Sequence, residues 1–396
     1  MRSRCRAICG IGCRPCSAGT KNSCCRLPPR RTDFAPVRSE GRTVTTVNDA
    51  AIPGGLERAH ALDPAYYFGE ATFALERRRV FGASWQLVAH RAELATAGDH
   101  VLVNIAGTPV VLLRAADGTL RAFANVCRHR AGPLVHGSGK GLGNLRCKYH
   151  GWLYNQAGQL VAAPEMQDAQ DFRVTDVRLP QFRVREWQGL VFAALEDDVP
   201  DFDRVYAGIA ERIAPVDLSA MRFVRRDSWD VECNWKVYVD NYLEGYHVPL
   251  IHPALSKIVD YRNYDVELCE WYSLQHSPLQ ASDDVYGAGR AYYCFIYPNV
   301  MLNVMPGRLA TNRVLPFGPG RCRVEFEWFC APTDEAMARV DNDREFTNNV
   351  QEEDVHICER VQVGLASGHY RAGRLCPKRE AGVWHFHERL RAAYAD

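Results

Sequence analysis

Apolar and polar residues alternate along most of this chain with the period of two expected of strands that bury one face in a sheet, and helical periods are confined to a few stretches. The first is 62–81, where Phe68, Ala71 and Leu75 recur at helical spacing and Arg77, Arg78 and Arg79 form a solvated edge. Strands are predicted at 85–89, 99–105, 110–114 and 120–125, with Asp117-Gly118 as the hairpin turn between the last two. The stretch 144–154 is expected to continue that sheet, Asn155-Gln-Ala-Gly158 to turn it, and 182–195 to form two short strands about Gln188-Gly189. Arg222, Arg225 and Arg226 read as a solvated face ahead of a helix that opens at Asn234. Several strands follow over 266–329, where alternation places Cys322, Val324, Phe326 and Trp328 on one face. Helical stretches at 333–340 and 342–367, interrupted by breaks, are expected to pack on that sheet.

Two short motifs change the picture from architecture to chemistry. Cys127-x-His129 and Cys147-x-x-His150, seventeen residues apart, pair a thiolate with an imidazole twice. That ligand set suits a [2Fe–2S] cluster held by two sulfurs on one iron and two nitrogens on the other. Exchanging two thiolates for neutral rings raises the cluster's potential, which fits it to relay electrons from a stronger reductant. Zinc takes the same side chains and is the bland alternative. The second constellation is His247-Val-Pro-Leu-Ile-His252, where Pro249 interrupts the helix between two histidines. A two-histidine, one-carboxylate face leaves open positions on Fe(II), and Asp354 in Gln351-Glu-Glu-Asp354 is the candidate carboxylate, with the adjacent Glu353 as its rival. Alone, such a histidine pair is more often structural; a cluster upstream in the same chain gives it weight.

With both motifs complete, the chain resembles the catalytic alpha subunit of the Rieske non-haem iron oxygenases, the ring-hydroxylating dioxygenase family, from about Tyr66 to its end. The resemblance implies an α+β fold: a small all-β [2Fe–2S] domain, and a catalytic domain whose curved antiparallel sheet wraps around helices. It implies Cys127, His129, Cys147 and His150 as cluster ligands and His247, His252 and Asp354 as ligands of mononuclear Fe(II). It also implies that Glu244, three residues before His247, bridges the two centres across a subunit boundary, bonding His247 in its own chain and His129 or His150 of a neighbour. Within the family, the run from Asp240 to Pro249 and Tyr297-Pro-Asn-Val-Met-Leu-Asn-Val-Met-Pro306 are closer in style to the choline and betaine type monooxygenases. The implied activity is O2-dependent hydroxylation or oxidative N-demethylation of a small quaternary ammonium compound, with hydroxylation of an aromatic ring or aromatic acid as the alternative. Electrons are expected from NAD(P)H through a flavin-containing or ferredoxin-type reductase, and the simplest assembly is a homotrimer.

Length and composition set the remaining expectations. The 396 residues suit a cluster domain at 85–180 and a catalytic domain at 181–396, to which a helical segment at 48–84 returns. With 48 basic and 47 acidic residues the net charge is +1, which gives no electrostatic reason to expect nucleic acid. No apolar run is long enough to span a bilayer, so a soluble, cytoplasmic protein is expected. Six of the 15 cysteines crowd into the first 25 residues without an apolar pattern, and residues 1–47 read as a disordered tail of no assigned function. A pure electron carrier would have no use for His247, His252 and Asp354, and a zinc-binding structural protein would use one motif and leave the other idle.

Overall fold

The computed structural model describes residues 55–279 and 289–395, so the tail expected over 1–47 and its cysteines lie outside the described residues. Two antiparallel sheets carry the molecule. The first has six strands, in the order Gln86–His90, Leu190–Ala194, Gln181–Trp187, Leu120–Ala124, Thr108–Arg114, His100–Ile105. Gln188 and Gly189, both at positive φ (51° and 80°), make the two-residue turn between its Gln181–Trp187 and Leu190–Ala194 strands, as the alternation predicts. These two strands follow the boundary expected at residue 180, yet they hydrogen-bond to strands that precede it. The stretch 144–154 does not extend this sheet. It forms a separate three-stranded one from Leu145–Arg146, Leu153–Tyr154 and Leu160–Ala162, with the candidate ligand loop of Cys147 and His150 between the first two.

The second sheet has seven strands, ordered Arg222–Val231, Arg321–Cys330, Arg308–Gly318, Val300–Met305, Arg290–Ile296, Tyr272–Pro278, Asp265–Leu268. Its first strand corrects the expectation of a merely solvated arginine face. Arg225 pairs with Asp227 at 2.6 Å and Arg226 pairs with the buried Glu327, so opposite charges within and across strands let an arginine-rich segment join the sheet. Cys322, Val324, Phe326 and Trp328 are all buried on one face, as alternation requires. They share a core with Trp235, Val237 and Val239 of the helix Trp235–Tyr242 and with Phe386 and Leu390 of the helix Ala381–Ala395. Asp334–Ala366, 33 residues without interruption, packs beside the helix Trp235–Tyr242 and against the strands Arg222–Val231 and Arg321–Cys330. The break expected near residue 341 is absent: Asp341, Asn342 and Asp343 are weak helix formers, but none is proline or glycine, and tenths of a kcal/mol each do not stop a helix anchored on a sheet.

The amino-terminal segment is also less regular than its pattern suggests. Instead of one helix over 62–81, Pro64–Tyr67 makes a 3-10 turn, Glu70–Glu76 an α-helix and Arg77–Gly82 a π-type turn, with Gly69 at φ 97° separating the first two. Ala71 of the predicted apolar face is exposed, and the buried residues are Leu62, Tyr67, Glu76, Val80 and Phe81. Glu76 has partners that repay its burial: Lys236 Nζ at 2.5 Å, Trp235 Nε1 at 2.8 Å and Tyr394 Oη at 2.6 Å. One carboxylate thus ties the amino-terminal segment to the helix that leads to His247 and to the last helix. Among the described residues no helix is long and apolar enough to cross a membrane.

Candidate active site

The two cysteine loops are built alike. Cys127 N–H donates to Gly132 O at 2.9 Å and its carbonyl accepts from Ala131 N at 3.0 Å; Cys147 N–H donates to Trp152 O at 2.9 Å and its carbonyl accepts from Gly151 N at 2.9 Å. Both turns need a left-handed residue, supplied by Gly151 at φ 77° in one and by Ala131 at φ 56° in the other. The loops press on each other so closely that a Cβ on Gly132 would sit 2.8 Å from Cys147 Sγ, which accounts for glycine there. Both thiols are buried, at 3% and 2% exposure, and Tyr154 Oη lies 3.3 Å from Cys127 Sγ while accepting from Arg128 N. The His129 and His150 rings are 4.6 Å apart, and His129 stacks on Trp152 at 4.9 Å with planes 10° apart. His129 Nδ1 is buried with no hydrogen-bond partner among the described residues, a cost of about 1–3 kcal/mol unless something binds there. Two buried thiols, two converging imidazoles and one orphaned ring nitrogen fit a cluster. His150 and Tyr149 are exposed at the tip of this loop.

The histidine pair comes together as the sequence predicts. The helix Trp235–Tyr242 is capped by the Asn234 side chain and ends at Leu243; Glu244-Gly-Tyr turns the chain, and the short helix Val248–Ile251 leaves His247 at its start and His252 at its end. Asp354 approaches from the 33-residue helix. Donor atoms of His247, His252 and Asp354 lie within 4.8 Å of one another, with Asp354 Oδ1 at 2.9 Å from His252 Nε2 and 3.8 Å from His247 Nε2. The other nitrogen of each ring is held by a carboxylate: Glu244 Oε1 at 2.6 Å from His247 Nδ1, and Glu353 Oε2 at 2.7 Å from His252 Nδ1. Adjacent acids on one helix thus divide the work, Asp354 facing the centre and Glu353 orienting a ring from outside. Asn241 Nδ2 donates to Asp354 Oδ1 at 2.6 Å, which fixes the carboxylate. Burial opposes charge on the His252 ring, but the bonds from Asp354 and Glu353 outweigh it and raise its pKa. Two imidazoles and a carboxylate converging from one side, with the outer nitrogens already tied, fit a mononuclear metal ion.

Glu244 bonds His247 as expected, and its other oxygen accepts from the backbone N–H groups of Tyr246 and His247. Neither His129 nor His150 of its own chain is among its hydrogen-bond partners in the described residues. Beside the triad opens a cavity of about 110 Å³. Of the described aromatic residues between 271 and 329, Tyr293 and Phe326 line this cavity, and Phe295, Tyr297 and Trp328 pack the core. Tyr238 and Tyr242 on the iron-side helix and Tyr264 also line it. They escape sequence reasoning because nothing in a helix pattern separates a cavity-facing tyrosine from a core one; Tyr242 sits one residue after Asn241, and that proximity to the histidine motif is the available signal.

Comparison with known proteins agrees with this geometry. Residues 84–182 match the Rieske [2Fe-2S] domain model, and residues 218–396 match the ring hydroxylating alpha subunit catalytic domain. The chain is 33% identical to the chloroplastic choline monooxygenase of Arabidopsis thaliana over 90% of its own length and 89% of that protein's. It is 30% identical to the carnitine monooxygenase oxygenase subunit of Escherichia coli (strain K12), over 86% and 95% of the two chains. A quaternary ammonium Rieske monooxygenase solved with L-carnitine superposes with a TM-score of 0.76 at 26% identity, covering 86% of this chain and 96% of that one. Naphthalene 1,2-dioxygenase from Rhodococcus sp. shares the fold at a TM-score of 0.71 and 18% identity. A shared sequence along nearly the whole length, with a cluster fold and an oxygenase catalytic fold in the same order, makes this chain a member of the Rieske non-haem iron oxygenases, enzymes of a [2Fe–2S] cluster and a mononuclear iron.

Proposed function

We propose that this chain is the oxygenase component of a monooxygenase for small quaternary ammonium compounds. The observation that carries the reading is the composition of the small cavity at the histidine pair, which is lined by Tyr238, Tyr242, Tyr264, Tyr293 and Phe326 together with Glu244 and Asp354. Aromatic faces attract a trimethylammonium group, by about 2 kcal/mol when water is excluded, and they ask nothing of it in hydrogen bonds. The relatives named for choline and carnitine oxidation support the same choice. Hydroxylation of an N-methyl carbon gives a carbinolamine that loses formaldehyde.

In this reading Cys127, His129, Cys147 and His150 hold the cluster, and His247, His252 and Asp354 hold the iron, which together supply electron relay and O2 activation when bound. The protein's own part is positional. Glu244 and Glu353 fix the two imidazoles, Asn241 fixes Asp354, and the tyrosines seat the cation with an N-methyl group toward the triad. We assign the six-stranded sheet and the ligand loops, residues 85–194, to the cluster domain, since the strands Gln181–Trp187 and Leu190–Ala194 pair with strands before the boundary expected at 180, and 218–396 to the catalytic domain, to which the amino-terminal segment before 85 returns. Support for the return is that Leu62, Tyr67 and Phe81 share the core of Trp235 and Phe386. A reductase drawing on NAD(P)H supplies electrons, and a homotrimer lets Glu244 meet the cluster histidines of a neighbour, since its own chain's are not among its partners.

The test is aerobic turnover of reconstituted protein with a reductase and NADH, offering choline, betaines, carnitine and simple aromatic acids and following products by mass spectrometry. Formaldehyde or an oxidised amine is the expected result. Product from aromatic acids alone would replace the quaternary amine reading and leave both metal centres standing.

A further inference from the structure

Three cysteines from distant parts of the chain meet in the core of the catalytic domain. Cys233, Cys322 and Cys358 are 0%, 0% and 1% exposed and share one apolar cluster, and none of them belongs to the cysteine loops of the cluster domain. Cys322 stands on the strand Arg321–Cys330 opposite Val231, and Cys233 follows Val231 by two residues. Cys358 comes from the 33-residue helix, about one turn after Asp354. Two hydrogen bonds hold that helix against the Cys233 segment on either side of the cysteine: Glu232 N–H donates to Glu359 Oε1 at 3.2 Å, and Asn234 N–H donates to Gln362 Oε1 at 2.9 Å. Within this frame the thiols of Cys322 and Cys358 reach the Cys233 sulfur as hydrogen-bond donors, and against the effect of burial they lower its pKa to about 5. Cys358 also borders a cavity of about 620 Å³ that Glu244 and His247 line as well.

We propose that Cys233 and Cys358 are a peroxide-oxidisable dithiol, whose disulfide ties the helix of Asp354 to the start of the helix that leads to His247. The oxidant is hydrogen peroxide, formed when O2 takes two electrons and two protons without oxidising a substrate. The cavity shared by His247 and Cys358 gives it a path from one to the other. In the step one S–S bond forms, while two S–H bonds and the O–O bond break. The two sulfurs give up two electrons, and both thiol protons leave in two molecules of water. Cys233 is the more reactive partner, because the thiolate is the nucleophile and two donated hydrogen bonds favour it. A disulfide draws its sulfurs to about 2.05 Å, closer than hydrogen-bonded thiols stand, so the turn that carries Asp354 and Cys358 is pulled toward Cys233. Asn241, which holds Asp354, lies on the helix that Cys233 precedes, so the link acts on both partners of that bond. Turnover in the disulfide form is slowed, and a thiol reductant restores it.

The test is a disulfide map of holoenzyme treated with a slight molar excess of hydrogen peroxide, then denatured with an alkylating reagent, digested and analysed by mass spectrometry without reduction. A peptide pair linked through Cys233 and Cys358 is expected as the main disulfide. Dithiothreitol should remove it and, with iron resupplied, recover a severalfold loss of turnover; the visible absorbance of the cluster marks damage that a thiol reductant does not reverse. Cys358→Ser should turn over like wild type before treatment, form no such link and recover nothing with dithiothreitol. The map of the wild-type protein decides the matter if that variant does not fold. Recovery of Cys233 and Cys358 as free, alkylated thiols would overturn the proposal, as would a main link between Cys233 and Cys322, which leaves the helix of Asp354 untied. A Cys233–Cys358 link with unchanged turnover would overturn its effect on the triad.

Discussion

At the scale of single residues, much of the site rests on carboxylates that hold other side chains in place. Glu353 and Asp354 are neighbours in sequence with different work, and their substitutions should separate. Glu353→Gln is expected to keep iron bound but weaken it by about 10–100-fold, the usual cost of losing a carboxylate behind a ligand imidazole, whereas Asp354→Asn should lose iron outright. Iron per chain by elemental analysis, with the cluster's visible absorbance as an internal control, distinguishes them. Equal loss from both variants would contradict the division. Glu76 is a carboxylate of a different kind, buried against Lys236, whose pKa burial pushes down even as Glu76 pulls it up. Lys236→Met would leave Glu76 buried with only Trp235 and Tyr394 and should cost about 3–5 kcal/mol in chemical denaturation, with part recovered in the Glu76→Gln/Lys236→Met double variant. Residues that carry chemistry in short motifs were legible: both cysteines, all four histidines and the Asp354 region stand out by type and spacing. Glu76 was not, because its partners lie more than a hundred residues away and leave no local mark, and the cavity tyrosines were not, because local spacing does not separate them from core ones.

At the scale of elements, alternation located nearly every strand of the six-stranded sheet within a residue or two, since one buried face imposes period two wherever the sheet has one. It failed at Arg222–Val231, where cross-strand ion pairs replace apolar contacts, and at 62–81, where a mixed 3-10, α and π path buries a charged residue. The last helix, Ala381–Ala395, carries a titratable device that no pattern shows. Burial, aided by Arg389, lowers the pKa of His385 to about 4, against an ordinary value of 6.5. The unfolded chain therefore binds a proton at His385 between these values while the folded chain does not, and stability contributed by the neutral ring is complete above pH 6.5 and lost as pH falls toward 4. His385→Gln should flatten the decline of the urea midpoint over that window relative to wild type. Parallel curves for the two proteins would remove His385 as the cause.

For the whole molecule, what matters is how one sheet is set against the other. Arg313, buried in the catalytic sheet, donates to Leu87 O on the edge strand of the six-stranded sheet at 3.1 Å and pairs with Glu325 at 2.7 Å and Glu327 at 3.3 Å. Arg226 joins Glu327 to Glu93 at 3.3 Å, so the two sheets are pinned by a charge network as well as by apolar contact. Such pinning keeps the cluster loops at a fixed place relative to the triad of the same chain, and we propose that Glu244 bridges to the cluster of a second copy. Glu244→Gln is expected to leave both metals bound and to slow reoxidation of the reduced cluster by at least tenfold in stopped-flow absorbance; an unchanged rate would remove Glu244 from the electron path. The central claim, that one protein holds both the electron store and the oxygen chemistry for a quaternary amine, is tested most directly by single turnover. Holoenzyme is reduced, freed of reductant, and mixed with γ-butyrobetaine and isotopically labelled O2 with no reductase present. Formaldehyde in step with cluster reoxidation, and absent in Asp354→Asn, is the predicted result. Reoxidation with no oxidised amine would contradict it.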